Sequence, residues 1–285
     1  MLAVAVIPLV AGTGCSRATE PAPLPALPAE PAARVEADVD AAPPPPPTLP
    51  DVAEAGCLEG WRGLDASTCW LGAPDATALL VYLSGIVPPL PRSPQKETVA
   101  RVVAAAATRA HVAAILPRGR RGIGPADVKD WWAWPTSVAD ADRLGPELVE
   151  EWRSARTKLE STFGYRFRRT YLAGSSSGAY FLALLALRPG RAALDELDVR
   201  GFAAASGGAP VPGASGTKRP FYVGHATGDP TSGGAKALAA QLRSAGWPVR
   251  EAEHPGGHGA REVYLDEAFA FWEHADAGRS AAAPP

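Results

Sequence analysis

Near the middle of the chain the sequence reads Tyr171-Leu172-Ala173-Gly174-Ser175-Ser176-Ser177-Gly178-Ala179-Tyr180. The apolar residues before Gly174 predict a short strand, and the apolar run that ends at Leu187 predicts a helix. Gly174 and Gly178 stand two residues either side of Ser176, where glycines allow a sharp turn and a close approach. The first amides of the helix are then available to a developing anion. This strand–turn–helix pattern makes Ser176 a candidate nucleophile.

The pattern around this turn continues along the chain, because short apolar runs alternate with helix-like segments from Asp51 to about His274. The predicted strands are 78–83, 111–116, 169–173, 201–205, 221–224 and 249–253. The predicted helices are 97–109, one within 138–163, 179–187, 235–245 and 261–274. Strands separated by helices form a mostly parallel sheet with right-handed crossovers. We therefore expect one α/β domain over residues 51–278, with helices flanking a mostly parallel central sheet.

Two further motifs follow predicted strands, at the edge of the sheet where chemistry is expected. They are Gly224-His225-Ala226-Thr227-Gly228-Asp229-Pro230 and Glu253-His254-Pro255-Gly256-Gly257-His258-Gly259. A serine hydroxyl needs a base within hydrogen-bond reach, and the base needs an orienting carboxylate. We assign His258 as the base, because flanking glycines let its loop approach the serine, and Asp229 as the orienting carboxylate.

Other residues compete for both roles. His254 is the main alternative to His258. Asp195 and Asp198 are alternatives to Asp229, although both precede a predicted strand. Asp229 is also consistent with an ordinary turn residue before a proline.

A tetrahedral intermediate also needs two N–H donors directed at its oxyanion. One donor is expected to be the amide of Ser177, directly after the candidate nucleophile. The second is expected from the loop 83–89, which follows the first core strand, and we assign it to the amide of Ile86. The sequence has no Cys/His cluster of zinc spacing and no phosphate-binding loop, so we expect neither a metal nor a cofactor.

Together these motifs resemble the α/β-hydrolase superfamily. Within it they are most similar to compact esterases of the phospholipase/carboxylesterase group and the polyhydroxybutyrate-depolymerase or feruloyl-esterase-like group. The resemblance covers about residues 75–275 and rests on Gly174–Gly178, Gly224–Asp229 and Pro255–Gly259. It implies hydrolysis of a small-molecule or polymeric carboxylic ester through an acyl-enzyme. Relatives usually carry His-Gly after the first strand, where this chain has Ser84-Gly85.

The resemblance also bears on the loop after the second predicted core strand, which borders the active-site cleft in this group. Its aromatic residues Trp131, Trp132 and Trp134 either grip an acyl or aryl group or pack against the sheet edge and the next helix. The arginines 118, 120 and 121 either meet an acidic substrate or form a solvated loop. No insertion between predicted strands is long enough for a large lid, so a shallow, open site is expected.

The N-terminus predicts export. Residues 1–14 are apolar and end in small residues before Cys15, as secretory signals do. Gly12-Thr13-Gly14-Cys15 resembles a bacterial lipobox, in which the cysteine is lipidated. Residues 16–50, rich in Pro, Ala and Glu, predict a disordered linker. We expect a periplasmic or cell-surface protein attached to a membrane through Cys15; an uncleaved, disordered N-terminus is the alternative.

After export, Cys57 and Cys69 are expected to form a disulfide, with two free thiols as the alternative. The formal net charge of −2 gives no electrostatic case for binding nucleic acid. Residues 279–285 are expected to form a disordered tail.

Two other functions remain compatible with the sequence. One is a non-catalytic surface lipoprotein that uses the same fold to bind a partner or a glycan, an alternative supported by Ser84. The other is a serine peptidase or acyltransferase with the same three catalytic residues.

Overall fold

The computed structural model describes residues 56–188 and 192–282. Within this part of the chain eight strands form one sheet, in the spatial order β1-β2-β4-β3-β5-β6-β7-β8. The strands are β1 (Arg62–Gly63), β2 (Thr68–Leu71), β3 (Ala78–Leu83), β4 (Ala113–Pro117), β5 (Arg169–Ser175), β6 (Val199–Ala205), β7 (Phe221–Ala226) and β8 (Val249–His254). All neighbours pair in parallel except β1 with β2 and β2 with β4. The predicted fold class, a mostly parallel sheet flanked by helices, is confirmed.

Six α-helices in the described part of the chain accompany the sheet. They are α1 (Pro94–Arg109), α2 (Val138–Phe163), α3 (Ser177–Leu187), α4 (Ala192–Glu196), α5 (Ser232–Ser244) and α6 (Glu262–Ala282). The strands β1 and β2 are not predicted from the sequence. The last helix continues to Ala282, past its predicted end at His274, so it includes part of the predicted tail 279–285.

Capping residues explain where α1 and α2 begin and where α2 ends. Ser93 accepts a hydrogen bond from the Lys96 amide at 3.2 Å, and Pro94 occupies the first helical position of α1. Ser137 caps α2 in the same way. That helix ends at Gly164, whose φ of 76° lies in the left-handed region that favours glycine.

The core lies on both faces of the sheet, because successive strand side chains point in opposite directions. In β3, Leu79, Val81 and Leu83 join one apolar cluster with residues of α2, α3 and α5. Leu80 and Tyr82 join the other cluster, with α1 and α6. The three-layer arrangement directs the carboxyl ends of β3 to β8 to one common edge. Among the described residues, the loops at this edge contain one short 3₁₀ helix, Ala126–Val128, and no inserted lid.

The segment before β3 is tied to the edge of the sheet by a disulfide between Cys57 and Cys69. The predicted leader, the linker and Cys15 lie outside the described residues. Within residues 56–188 and 192–282, no helix combines the length and apolar character needed to cross a membrane.

Two glycines test how tightly the sheet and its helices pack. A Cβ on Gly201 in β6 would lie 2.4 Å from two indole atoms of Trp272, which is fully buried and stacks on Tyr171. We expect Gly201→Ala to lower the free energy of unfolding by about 1–3 kcal/mol, as overpacking does. A Cβ on Gly233, in the first turn of α5, would have no atom within 4 Å. Gly233→Ala should therefore raise the free energy of unfolding by about 0.4–1 kcal/mol. Urea denaturation measures both; equal effects would contradict the packing described.

Candidate active site

The backbone turns sharply at Ser176, between the end of β5 and the start of α3. Its φ of 53° and ψ of −124° place a non-glycine residue in a sparsely populated conformation. The Ser176 amide donates to the carbonyl oxygens of Ala205 and Ser206, each at 3.1 Å, which ties the turn to the end of β6. The side chain is thereby presented at the edge of the sheet, ahead of the first amides of a helix.

The two glycines of the motif are required by close packing. A Cβ on Gly178 would lie 2.3 Å from the carbonyl oxygen of Leu83, and one on Gly174 would lie 3.0 Å from the same atom. Neither glycine has a positive φ. The end of β3 therefore presses directly against the turn that carries Ser176.

Asp229 and His258 meet at the same edge of the sheet. Asp229 follows β7, His258 follows β8, and His258 Nδ1 lies 3.0 Å from Asp229 Oδ1. The same carboxylate oxygen accepts hydrogen bonds from the Thr231 amide at 2.8 Å and the Thr231 hydroxyl at 2.7 Å. Asp229 is buried, whereas the side chain of His258 is 38% exposed. The arrangement holds one ring nitrogen of His258 and leaves the other for a reacting group.

The environment of Asp229 keeps its carboxylate ionised. Burial raises the pKa of Asp229, but hydrogen bonds from His258 and Thr231, with the nearby Ser206 hydroxyl, lower it from 3.8 to about 2. Because the folded pKa lies below the ordinary value, the charge stabilises the fold above about pH 4. That stabilisation is lost as the pH falls towards 2.

Backbone contacts fix the loop that carries His258. Gly256 has a φ of 122° and Gly259 a φ of 139°, both in the region that favours glycine. The Gly228 amide donates to the Gly256 carbonyl oxygen at 2.8 Å, which joins this loop to the loop of Asp229. Arg261 donates to the Pro255 carbonyl oxygen at 2.6 Å.

Ser206, directly after β6, is a site residue that the sequence analysis missed. Its hydroxyl donates to the Gly259 carbonyl oxygen at 3.0 Å and accepts from the Gly259 amide at 3.2 Å. Ser206 is fully buried and is one of few non-glycine residues with a positive φ, 46°. It joins the end of β6 to the residue after His258. The signal was present, since Ser206 follows a predicted strand as the other motifs do.

The loop after β3 lies against Ser176. A Cβ on Gly85 would be 3.0 Å from Ser176 Cβ and 3.5 Å from its Oγ. Val87 and Trp132 exchange two backbone hydrogen bonds, at 3.0 and 2.9 Å, which fix the far end of the loop. Ile86, the residue assigned as the second oxyanion donor, lies between these two fixed points.

The competing residues take part in other contacts. The closest acidic group to His254 Nε2 is Glu267 Oε1 of α6, at 3.3 Å. Asp195 forms an ion pair with Arg219, and Asp198 forms one with Arg200. Both aspartates precede β6 and so belong to the opposite end of that strand. Of these alternatives, the structure brings only His258 and Asp229 into contact.

Several side chains of the tryptophan- and arginine-rich loop contact the rest of the domain. Trp134 is buried and stacks on Phe181 in the core. Arg120 pairs with Glu147 and Glu151 of α2. Arg118 lies over the ring of Trp132, 4.6 Å from its centroid. In the described part of the chain, no group of three or more His, Cys, Asp or Glu side chains is placed to hold a metal ion.

Comparison with solved structures places this architecture among known folds. The Bacillus cereus carboxylesterase shares 13% identity, with 76% of this chain and 95% of that chain covered and a TM-score of 0.53. Esterase PE8 shares 20% identity, with 73% of this chain and 98% of that chain covered and a TM-score of 0.52. YahD, solved with malic acid, shares 14% identity, with 73% of this chain and 98% of that chain covered and a TM-score of 0.51.

These likenesses show the fold, and the chain has the α/β-hydrolase fold that the sequence predicts. Each of the three solved chains is covered almost completely, so the similarity extends over the whole domain. No protein-family model matches the sequence, and the comparison with curated proteins also finds no match.

The contact between Asp229 and His258 leads to a kinetic prediction. Asp229→Asn keeps the shape of the side chain but no longer holds His258 in one tautomer, so kcat for ester hydrolysis should fall roughly 10³–10⁴-fold. Asp198→Asn is the matched control, because it removes the same charge at the opposite end of β6. Steady-state kinetics of a p-nitrophenyl ester measures both, and similar losses in the two variants would contradict the role given to Asp229.

Proposed function

We propose that this chain is a serine hydrolase that cleaves carboxylic esters through an acyl-enzyme. The observation that carries the proposal is the 3.0 Å contact of Asp229 with His258, at the edge where Ser176 is presented. A strained serine before a helix and a histidine held by a buried carboxylate are the parts that activate a hydroxyl nucleophile.

The first step acylates the enzyme. Ser176 Oγ attacks the ester carbonyl carbon while His258 Nε2 takes the hydroxyl proton, and Asp229 stabilises the imidazolium that forms. The carbonyl oxygen becomes an oxyanion, for which the amides of Ile86 and Ser177 are the proposed donors. The intermediate then collapses, the bond to the alcohol oxygen breaks, and His258 gives its proton to the leaving alcohol.

The second step returns the enzyme to its starting state. Water loses a proton to His258 and attacks the acyl carbon, forming a second tetrahedral intermediate. His258 then protonates Ser176 Oγ as the acid product leaves. One ester and one water thus give one alcohol and one acid, with no cofactor taking part.

Ser84 bears on how well the oxyanion loop is supported. The Ser84 hydroxyl donates to the Gly85 carbonyl oxygen at 3.1 Å, so it holds the loop from within. This contact restrains the loop next to Ser176.

Alanine variants of two neighbouring serines test the assignment of the nucleophile. Ser176→Ala should lower hydrolysis of p-nitrophenyl acetate at least ~10³-fold, because the acyl-enzyme then has no attacking oxygen. Ser177→Ala keeps the backbone amide and removes a buried hydroxyl that has no hydrogen-bond partner among the described residues, so it should retain activity.

The activity of the wild-type chain separates the alternative functions, and the Ser176→Ala variant tests the nucleophile. A wild-type chain that hydrolyses no ester would favour a binding protein. Faster turnover of peptides than of esters would favour a peptidase. Full activity in Ser176→Ala would refute the assignment of the nucleophile.

We also propose that the chain is exported and anchored through a lipid on Cys15. The disulfide between Cys57 and Cys69 supports an oxidising compartment. Expressed in a bacterium supplied with labelled palmitate, the wild type should incorporate label and enter the membrane fraction, whereas Cys15→Ala should do neither. Equal labelling of the two proteins would contradict lipidation at Cys15.

A further inference from the structure

The loop that carries His258 has little in its own sequence to fix its backbone. It reads Pro255-Gly256-Gly257-His258-Gly259, so both neighbours of His258 are glycines without side chains to pack. Glycine also loses more conformational freedom on folding than any other residue. A general base must nevertheless lie within hydrogen-bond reach of the hydroxyl that it deprotonates. The loop therefore needs contacts from outside to hold His258 in place.

Arg261 contacts the loop on the N-terminal side of His258. Its guanidinium group donates to the carbonyl oxygen of Pro255 at 2.6 Å and to that of Gly257 at 3.3 Å. The second carbonyl belongs to the peptide group that joins Gly257 to His258. A Cβ on Gly256 would overlap the guanidinium group, so this glycine leaves the space that the arginine fills.

Ser206 contacts the loop on the C-terminal side of His258. Its hydroxyl oxygen accepts from the Gly259 amide at 3.2 Å, and that amide belongs to the peptide group that joins His258 to Gly259. The same hydroxyl donates to the Gly259 carbonyl oxygen at 3.0 Å. Side chains from outside the loop therefore bond the peptide groups on both sides of His258.

Ser206 also relates the position of His258 to that of Ser176. Its carbonyl oxygen accepts from the Ser176 amide at 3.1 Å, and its own amide donates to the Gly224 carbonyl oxygen of β7 at 2.9 Å. Ser206 is fully buried, and its φ of 46° is uncommon for a residue other than glycine. One fixed residue thus contacts the backbone of the candidate nucleophile and the backbone beside the candidate base.

We propose that Ser206 and Arg261 are positioning residues that act on catalysis through His258, by holding the peptide groups on either side of it. The proposal rests on the function proposed above. Neither side chain takes part in proton transfer. Their hydrogen bonds keep the imidazole within reach of Ser176 while Asp229 holds its Nδ1, so their removal should slow catalysis without changing how the substrate binds.

Kinetics of the full chain with p-nitrophenyl acetate measures the effect on rate. Ser206→Ala and Arg261→Gln should each lower kcat about 3–10-fold, as the loss of one hydrogen bond typically does. KM should change less than about twofold, because substrate binding is unaffected. Ser206→Gly removes the same hydroxyl but relaxes the positive φ, so it should unfold at a higher temperature than Ser206→Ala and be equally slow.

Two variants serve as matched controls. Thr170→Val removes a buried hydroxyl that accepts from Arg156 at 3.2 Å, at the opposite end of β5 from Ser176. Arg250→Gln removes a cation near the start of β8, where Arg250 lies 4.0 Å from Glu267. Both should retain the kcat of the wild type. Thermal unfolding checks that each variant is folded.

Proton NMR gives a readout that does not depend on turnover. An imidazole N–H that donates to a carboxylate resonates far downfield of the backbone amides, and His258 Nδ1 lies 3.0 Å from Asp229 Oδ1. The wild-type resonance, assigned by its absence from His258→Gln, should be sharp. In folded Ser206→Gly and Arg261→Gln it should broaden, because a moving loop lets this proton exchange with water. It should stay sharp in both controls.

The outcomes separate this proposal from the proposed function. An unchanged kcat in folded Ser206→Gly and Arg261→Gln, a loss that appears in KM instead, or a resonance as sharp as that of the wild type in both variants overturns the positioning role and leaves the esterase function standing. A wild-type chain that hydrolyses no ester overturns the esterase function, and the resonance then decides whether the two residues hold His258.

Discussion

The strained backbone of Ser176 is the constraint on which the rest of the site depends. A φ of 53° and a ψ of −124° are costly for a serine, so the surroundings must hold them. They do so from two sides: the ends of β5 and β6 are joined through the Ser176 amide, and the end of β3 leaves no room for a side chain at Gly178. The same contacts place the loop after β3 against the serine. The strained backbone of Ser176, the close packing at Gly178 and the position of the candidate oxyanion loop therefore depend on the same contacts.

The other half of the site consists of the loops that follow β6, β7 and β8, which are joined to one another by hydrogen bonds. Asp229 and His258 belong to neighbouring strands, and their loops are joined by the Gly228 amide as well as by the carboxylate. Ser206 extends this connection to β6, because its hydroxyl bonds both backbone groups of Gly259. Each loop at this edge is therefore positioned by the one beside it. A parallel sheet makes this possible, since consecutive strands deliver their carboxyl ends to one place.

The sequence predicted most strands and helices and the pairing of Asp229 with His258, and it missed other contacts between separate segments. The bounds of α2 could be predicted from Ser137 and Gly164, and the loops of the site from their positions after apolar strands. The strands β1 and β2 are too short for a periodic pattern, and they pair antiparallel at the edge. The role of Ser206 depends on Gly259, which is 53 positions away.

The position of a covalent adduct in the unmodified chain tests most directly whether Ser176 is the nucleophile. Three consecutive serines, 175 to 177, stand at the turn, and only the middle one has the backbone that presents a nucleophile. The wild-type protein is treated with a fluorophosphonate, digested, and the modified peptide is sequenced by tandem mass spectrometry. We predict a phosphonyl group on Ser176 and on neither neighbour. An adduct on Ser175 or Ser177, or no adduct at all, would contradict this prediction.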